Sequence, residues 1–204
     1  MKIVKILMQL LLIVPTIGIA DPDYSAALNL VQGTTEKLVK AIKEKKPEIV
    51  KDMGVAYDIA QQLVLPHFDI ERMSKYVLAK EWGSASDEQK QKFMNEFKQL
   101  ITNTYTRSIV EFSDETIDYL PVKPGNKVER VTIQTQVKPS TGKVIPIDYT
   151  LSIKDGSWKV IDVRIEEVSL VINYRSTFTR DIRKDGLDQF LLKLAEKNKQ
   201  KQGG

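Results

Sequence analysis

Residues 157–178 read Ser-Trp-Lys-Val-Ile-Asp-Val-Arg-Ile-Glu-Glu-Val-Ser-Leu-Val-Ile-Asn-Tyr-Arg-Ser-Thr-Phe, and two hydrophobic periods meet within them. Ile161, Val163 and Ile165 alternate with polar residues, which is the period of a half-buried strand. After Glu167 the apolar positions recur at helical spacing, which predicts a helix with an apolar stripe. The strand is therefore expected to run directly into a helix, and the rest of the fold is expected to build a sheet beside this corner.

Strand-like segments occupy the middle of the chain. The four candidates are 116–122, 127–138, 144–154 and 158–166, and short stretches rich in Pro, Gly, Asn and Asp separate them. Short connections favour antiparallel neighbours, because a parallel pair needs a long crossover. The sequence therefore predicts a four-stranded, mainly antiparallel sheet.

The turn at Asp155-Gly156 decides which residues of the last two strands face each other. A two-residue loop would place Tyr149 opposite the polar Asp162, whereas a three-residue loop places it opposite Ile161. We adopt the three-residue loop, which also pairs Ile147 with Val163. In this register one face carries Ile147, Tyr149, Leu151, Ile161 and Val163, and the other carries Trp158 and Val160.

Helical patterns flank the predicted sheet on both sides. The predicted helices cover 23–46, 48–64, a short segment capped by Asp69, 86–112, 168–184 and 187–194. The longest begins at a capping box, Ser86 to Gln89, and carries a broad apolar face. We expect one domain over residues 21–196, with a helical part at about 22–113, the sheet at about 116–167, C-terminal helices at about 168–196 and a polar, frayed tail at 197–204.

The first twenty residues have the composition of a secretory signal. Lys2 and Lys5 precede an apolar run from Ile6 to Val14, and Gly18 and Ala20 supply small residues before a cleavage site. We expect cleavage after Ala20 and export to the periplasm. Without Lys2 and Lys5, the chain has 29 basic against 27 acidic residues, a charge of +2, and this balance gives no indication of nucleic-acid binding.

Residues typical of catalysis or metal binding are sparse in this chain. It has no cysteine and one histidine, His67, so the usual ligands of a zinc site cannot be assembled. An enzyme would have to use Asp148, Asp162, His67 and Tyr174, yet their spacing contains no recognisable acid–base or nucleophile motif. We therefore expect no enzymatic activity and no cofactor.

Several short motifs, in their order and spacing, carry a resemblance to a known family. They are 65–69, Arg72-Met73, Trp82, Ser86, Gln89, Phe93, Phe97, Leu100, Tyr105, Asp148-Tyr149, Leu151, Gly156, 158–160, Asp162-Val163, 168–171, 173–175, Phe178 and Gly186-Leu187. With these residues the chain resembles the MlaC-type, or toluene-tolerance, family of periplasmic phospholipid-binding proteins. Ala79 and Glu167 depart from the family pattern, which has glycine at both positions.

The resemblance implies a fold and a function. It implies an α+β fold with an NTF2-like sheet, covered by several helices that enclose an apolar pocket for acyl tails. It also implies a carrier of phospholipid cargo between an outer-membrane lipoprotein complex and an inner-membrane ABC-transporter complex, which maintains outer-membrane lipid asymmetry. The pocket residues predicted for this chain are Phe97, Tyr105, Ile109, Ile133, Ile147, Tyr149, Leu151, Ile161, Val163, Val171, Tyr174 and Phe178.

Two other functions stay open at this point. Folds of the NTF2-like type also host small-molecule enzymes, and fold does not determine function. A structural periplasmic adaptor would use the same apolar faces only to close its core. An adaptor would contain no phospholipid, so the lipid content of the purified protein distinguishes it from a carrier.

Overall fold

The first part of the chain folds into helices that pack against a sheet formed by the middle part. The computed structural model describes residues 24–202, with the backbone alone at 123–127 and 201–202, and the predicted signal segment 1–20 and its cleavage site lie outside the described residues. The helices before the sheet are α1 (Ser25–Glu44), α2 (Lys46–Lys51), α3 (Gly54–Leu63), α4 (Ile70–Leu78), α5 (Lys80–Ser84) and α6 (Asp87–Glu111), with a 3-10 turn at Leu65–His67.

Local hydrogen bonds explain where these helices begin. The predicted capping box is confirmed, since Gln89 N donates to Ser86 Oγ (3.1 Å) and Ser86 N donates to Gln89 Oε1 (2.9 Å). Asp69 caps α4 as predicted, accepting from Arg72 N at 3.1 Å. The single helix predicted over 48–64 is instead divided into α2 and α3, because the Asp52 side chain accepts from Gly54 N (2.8 Å) and starts a new helix there.

Within the described residues, the sheet has six strands rather than the predicted four. They are β1 (Thr116–Tyr119), β2 (Lys123–Lys127), β3 (Arg130–Lys138), β4 (Ile145–Lys154), β5 (Ser157–Ile165) and β6 (Val168–Ser169). The first predicted strand, 116–122, ends early as β1, and β2 forms in a segment that was predicted to be a turn. Both strands pair with β3, and the order across the sheet is β1-β3-β4-β5-β6. All pairs are antiparallel, as predicted.

The predicted register of β4 and β5 is wrong. Their turn has two residues, Asp155 and Gly156, with φ of +50° and +74°, and Lys154 pairs with Ser157. A β-bulge then leaves Ile161 unpaired between the pairs Leu151–Val160 and Thr150–Asp162. Beyond the bulge, Tyr149 pairs with Val163 and Ile147 with Ile165. Trp158 and Val160 consequently lie on the same face as Leu151, not on the opposite one.

A tight turn separates β5 from the helix that follows, although the sequence predicted a direct run from strand to helix. Glu166 and Glu167 form this turn with φ of +48° and +68°, and β6 pairs back on β5. Helix α7 (Leu170–Asp185) then begins, followed by α8 (Leu187–Gln202). Among the described residues, every helix falls short of the length or hydrophobicity that a membrane span requires.

The two departures from the family pattern have backbones that favour glycine. Ala79, between α4 and α5, has φ +52° and ψ −116°, and Glu167 has φ +68°. A Cβ atom makes such conformations unfavourable, by on the order of 1–3 kcal/mol for a residue held there. The backbones of Ala79 and Glu167 are therefore strained, whereas glycine would adopt the same conformations without strain.

The C-terminal helix continues beyond the predicted tail boundary. Residues 197–202 belong to α8, and Asn198 is fully buried against α6. Its side chain donates to Glu96 O (2.9 Å) and to Glu96 Oε2 (2.8 Å), while Asn103 Nδ2 donates to Asn198 O. The prediction of a frayed tail is therefore wrong for residues 197–202, which continue α8, and the bonds of Asn198 attach this end of the helix to α6.

Candidate functional site

One face of the sheet is apolar and the other is polar. Residues paired directly across strands share a face, and the face alternates along each strand. The apolar face carries Ile117, Tyr119, Val131, Ile133, Val137, Ile145, Ile147, Tyr149, Leu151, Val160, Val163 and Ile165. The polar face carries Thr132, Gln134, Gln136, Asp148, Thr150, Asp162 and Arg164.

The apolar face is tightly closed at one end. Val131, Leu151 and Val160, which we call the closed end, are 1%, 0% and 4% exposed. Phe68 bridges to Val160, and Asp69 N donates to Val160 O at 2.9 Å. The rings of Tyr24 and Trp158 also pack here edge to face, with centroids 6.0 Å apart. The closed end is therefore almost completely removed from solvent.

The same face opens toward solvent at the corner formed by β4, β5 and β6. Ile147, Tyr149 and Ile165 are partly exposed, and Val168, paired with Ile165, is 55% exposed. We call these four residues the open corner. The adjoining β3 residues remain buried, with Ile133 at 0%. Ile117, Tyr119 and Ile145 of this face are also half-buried, so accessibility rises toward the edges of the apolar wall and is greatest at Val168 of the open corner.

Tyr149 is half-buried at the open corner, and we call the space around its side chain the recess. Burial, with a smaller contribution from nearby Tyr119, raises the pKa of the Tyr149 phenol to about 12. The protein around Tyr149 therefore desolvates its phenol, while part of the side chain stays accessible. Burial also raises the pKa of Tyr119, and the nearby side chain of Thr35 of α1 opposes this rise. Helix α1 therefore borders the recess.

Two tyrosines connect this sheet face to the helices above it. Tyr105 of α6 and Tyr174 of α7 are neighbours, and burial, followed by the influence of Tyr174, raises the pKa of Tyr105. Both pack against the apolar face and also against a separate helical cluster built on α4, α6, α7 and α8. In that cluster Tyr174 meets Phe97 edge to face at 5.6 Å between centroids, and Phe178 at 5.4 Å.

Asp162 fixes the start of α7 at the edge of the sheet. Its carboxylate accepts from Ser169 Oγ at 2.7 Å and from Val171 N at 3.2 Å. Ser169 in turn caps α7 by accepting from Ile172 N at 3.1 Å. These bonds hold α7 in the position from which Tyr174 reaches the apolar face.

The four residues considered for an enzyme do not form one site. Asp148 and Asp162 lie on the polar face, whereas Tyr174 packs with the apolar face. His67 lies in the 3-10 turn, where burial, then Lys159 and Lys37, lower its pKa. No group of three or more His, Cys, Asp or Glu side chains suited to a metal ion occurs among residues 24–202.

The structure distributes the twelve predicted pocket residues over four places. Ile133, Ile147, Tyr149, Leu151 and Val163 share the apolar face, with Tyr105 and Tyr174 beside it. Phe97, Val171 and Phe178 belong to the helical cluster, Ile109 packs with α1–α3, and Ile161 is the buried bulge residue. Tyr119, Ile165 and Val168 also lie on or beside this face, although they were not among the predicted pocket residues. Alternation along the strands indicated the first two, whereas Val168 was assigned to a helix.

Two clefts lie elsewhere on the described surface. The larger, about 390 Å³, lies beside the start of α4 and is lined largely by charged residues, including Asp69, Glu71 and Lys154. The smaller, about 190 Å³, lies between α6, α7 and α8 and includes Tyr174 and Phe178. An enclosed apolar pocket under the helices stays a prediction.

Residues 32–196 match the family described as MlaC protein. The chain belongs to the MlaC family. It is 27% identical over 161 residues to toluene tolerance protein ttg2D of Pseudomonas putida, covering 78% of this chain and 74% of the relative. It is 25% identical over 171 residues to the intermembrane phospholipid transport system binding protein MlaC of Haemophilus influenzae, covering 82% and 79%.

A solved structure shows the same fold. The phospholipid-binding protein from Ralstonia solanacearum, determined in complex with a phospholipid, superposes with a TM-score of 0.78 at 23% identity. The match covers 89% of this chain and 99% of that chain. The predicted resemblance and the α+β class are thereby confirmed for this MlaC-family protein.

Proposed function

We propose that this protein binds the acyl tails of a phospholipid at the open corner and carries the lipid through the periplasm. The observation that carries the proposal is the partial exposure of Ile147, Tyr149 and Ile165 on an apolar sheet face whose neighbouring Ile133 is fully buried. A packed core has no such surface. The phospholipid in the Ralstonia structure and the name of the Haemophilus relative support the same conclusion.

The energetics explain why a carrier needs such a recess. Each methylene gains about 0.8 kcal/mol on leaving water, so two tails of about fifteen methylenes each need on the order of 20 kcal/mol of shelter. Apolar side chains supply that shelter without reading the head group. We therefore propose that the head group stays at the rim near Val168, which is 55% exposed, and that several head groups are accepted.

We further propose that the lipid is exchanged with membrane complexes. A bilayer offers the tails nearly the same environment as the recess, so exchange can be close to balanced and partners can decide loading and release. The partners proposed are an outer-membrane lipoprotein complex and an inner-membrane ABC-transporter complex of the Mla type. This exchange would serve outer-membrane lipid asymmetry.

Lipid analysis of protein purified without detergent tests the proposal. Organic extraction and mass spectrometry should find phospholipid in stoichiometric amount, with mixed head groups. An extract without phospholipid would instead favour a structural adaptor. Strict selection of one head group would contradict the exposed position of the head group.

A further inference from the structure

Two half-buried tyrosines stand between the apolar sheet face and the helical cluster. Tyr105 of α6 and Tyr174 of α7, which we call the tyrosine pair, are neighbours, and both pack against the sheet face and against the cluster. The residues that form these two groups are buried, whereas each tyrosine keeps part of its surface accessible. The tyrosine pair therefore separates two apolar regions and borders accessible space.

The start of α7 places Tyr174 beside the open corner. Asp162 accepts from Val171 N at 3.2 Å, and the residue after Asp162 in β5, Val163, pairs with Tyr149. Tyr174 follows Val171 by three residues, which is a rise of about 4.5 Å along the helix. Tyr174 therefore lies close to the part of the sheet that carries Tyr149, and its side chain packs against the same apolar face.

Tyr174 also borders the smaller cleft, between α6, α7 and α8. The apolar residues that line this cleft include Leu100, Phe178 and Leu194, and Asp181 and three further charged residues complete the lining. The cleft measures about 190 Å³. An apolar cavity of about 150 Å³ holds a benzene molecule, so the cleft has room for roughly six carbon atoms.

The depth of an apolar site decides how much of an acyl tail it shelters. A bilayer keeps every methylene of a tail out of water. A methylene that the protein leaves in water therefore lowers the occupancy of that lipid by about fourfold. Side chains fixed at the inner end of such a site consequently determine which tail lengths bind well.

We propose that the tyrosine pair determines the acyl-chain length that this protein accepts, because its two rings close the inner end of the recess and keep the tails out of the cleft between α6, α7 and α8. This inference rests on the proposed function, since it concerns the specificity of the same lipid site. Ring contacts hold Tyr174 in place, with centroid distances of 5.6 Å to Phe97 and 5.4 Å to Phe178.

Competition between lipids of different length tests the proposal. Protein freed of lipid is incubated with vesicles of phosphatidylglycerols that differ only in their monounsaturated tails, from myristoleoyl to erucoyl, and the lipids bound by the reisolated protein are quantified by mass spectrometry. Tyr174→Ala and Tyr105→Ala each remove one ring of the pair, and Tyr174→Trp enlarges one. Phe190→Ala is the matched control, because its ring belongs to the helical cluster, 4.8 Å from that of Phe178.

Wild-type occupancy should fall by about fourfold for each methylene beyond the length that the recess holds. This fall should begin at longer tails in Tyr174→Ala and Tyr105→Ala, at shorter tails in Tyr174→Trp, and at the wild-type length in Phe190→Ala. Thermal unfolding identifies the variants that fold, and Tyr174→Trp tests the assignment even if both alanine variants unfold.

A fall that begins at the same tail length in the wild type and in every folded variant of the pair would overturn the proposal. An equal shift in Phe190→Ala would also overturn it, because a loosened helical cluster would then explain the change. Wild-type protein that binds phospholipid of no tail length would contradict the proposed function itself, whereas bound lipid with an unchanged length profile would contradict only the role of the tyrosine pair.

Discussion

The closed end and the open corner belong to one sheet face with similar side chains, yet they differ in what covers them. At the closed end, Leu151 and its neighbours pack with Phe68, Tyr24 and Trp158 and are almost completely removed from solvent. At the open corner, Tyr149 is desolvated but reachable. The difference teaches that what packs over the strands, rather than the composition of the strands, divides the face into a core and a recess.

The largest expected effect on stability is at the closed end. Leu151→Ala should lower the free energy of unfolding by about 2–5 kcal/mol, because it leaves a cavity in fully packed surroundings. Ile147→Ala, at the open corner, should cost under about 2 kcal/mol, because its site is already partly exposed. Urea unfolding of both variants measures the difference. Equal losses would mean that the two regions are one continuous core.

An effect of intermediate size on the free energy of unfolding is expected in alkaline solution. The pKa of Tyr149 is raised to about 12 in the folded protein, against about 10 for an unfolded tyrosine. Below about pH 10 the phenol is protonated in both states, and the stability that it contributes is fully present. As pH rises from 10 to 12, the unfolded state loses the proton first, so the free energy of unfolding falls by about 1.4 kcal/mol per unit of pKa difference. Tyr149→Phe should flatten the fall in stability over that range. Identical slopes for the two proteins would show that Tyr149 is not desolvated.

The smallest effect concerns a residue outside both regions. Ala79→Gly should raise the free energy of unfolding by about 1 kcal/mol, because glycine adopts the backbone at φ +52° and ψ −116° without strain. Thermal unfolding measures the gain, and Lys80→Gly, one residue later in α5, should lower stability instead. A loss of stability in Ala79→Gly would contradict the strained backbone. The contrast between Leu151→Ala and Ile147→Ala should persist in the Ala79→Gly background.

The periodicity of the apolar residues and the composition of the turns predicted most of the fold. The apolar alternation of β3 and β4, the capping box at Ser86 and the cap at Asp69 are all local signals, and the structure has each of them. The turn at Glu166-Glu167 could not be predicted in this way, because two glutamates at positive φ contradict the usual composition of such turns. The strand β6 was missed for the same reason.

The errors at the site have long-range causes. The bulge at Ile161 has no glycine or proline to indicate it, and it restores apolar pairing that a two-residue turn alone would not produce. Asn198 is polar and near the end of the chain, so only its contacts with Glu96 and Asn103 explain its burial. Exposure at the open corner likewise depends on where the helices stop, which the sequence of the strands does not contain.

The lipid content of two neighbouring variants tests the central claim most directly. Tyr149 lies in the recess, whereas Thr150 pairs with Asp162 on the polar face. Tyr149→Arg places a cation among the proposed tails, at a cost of several kcal/mol if it stays unpaired. In organic extracts of detergent-free protein, folded Tyr149→Arg should lack phospholipid and Thr150→Arg should retain it. Phospholipid kept by Tyr149→Arg and lost by Thr150→Arg would contradict the recess as the lipid site.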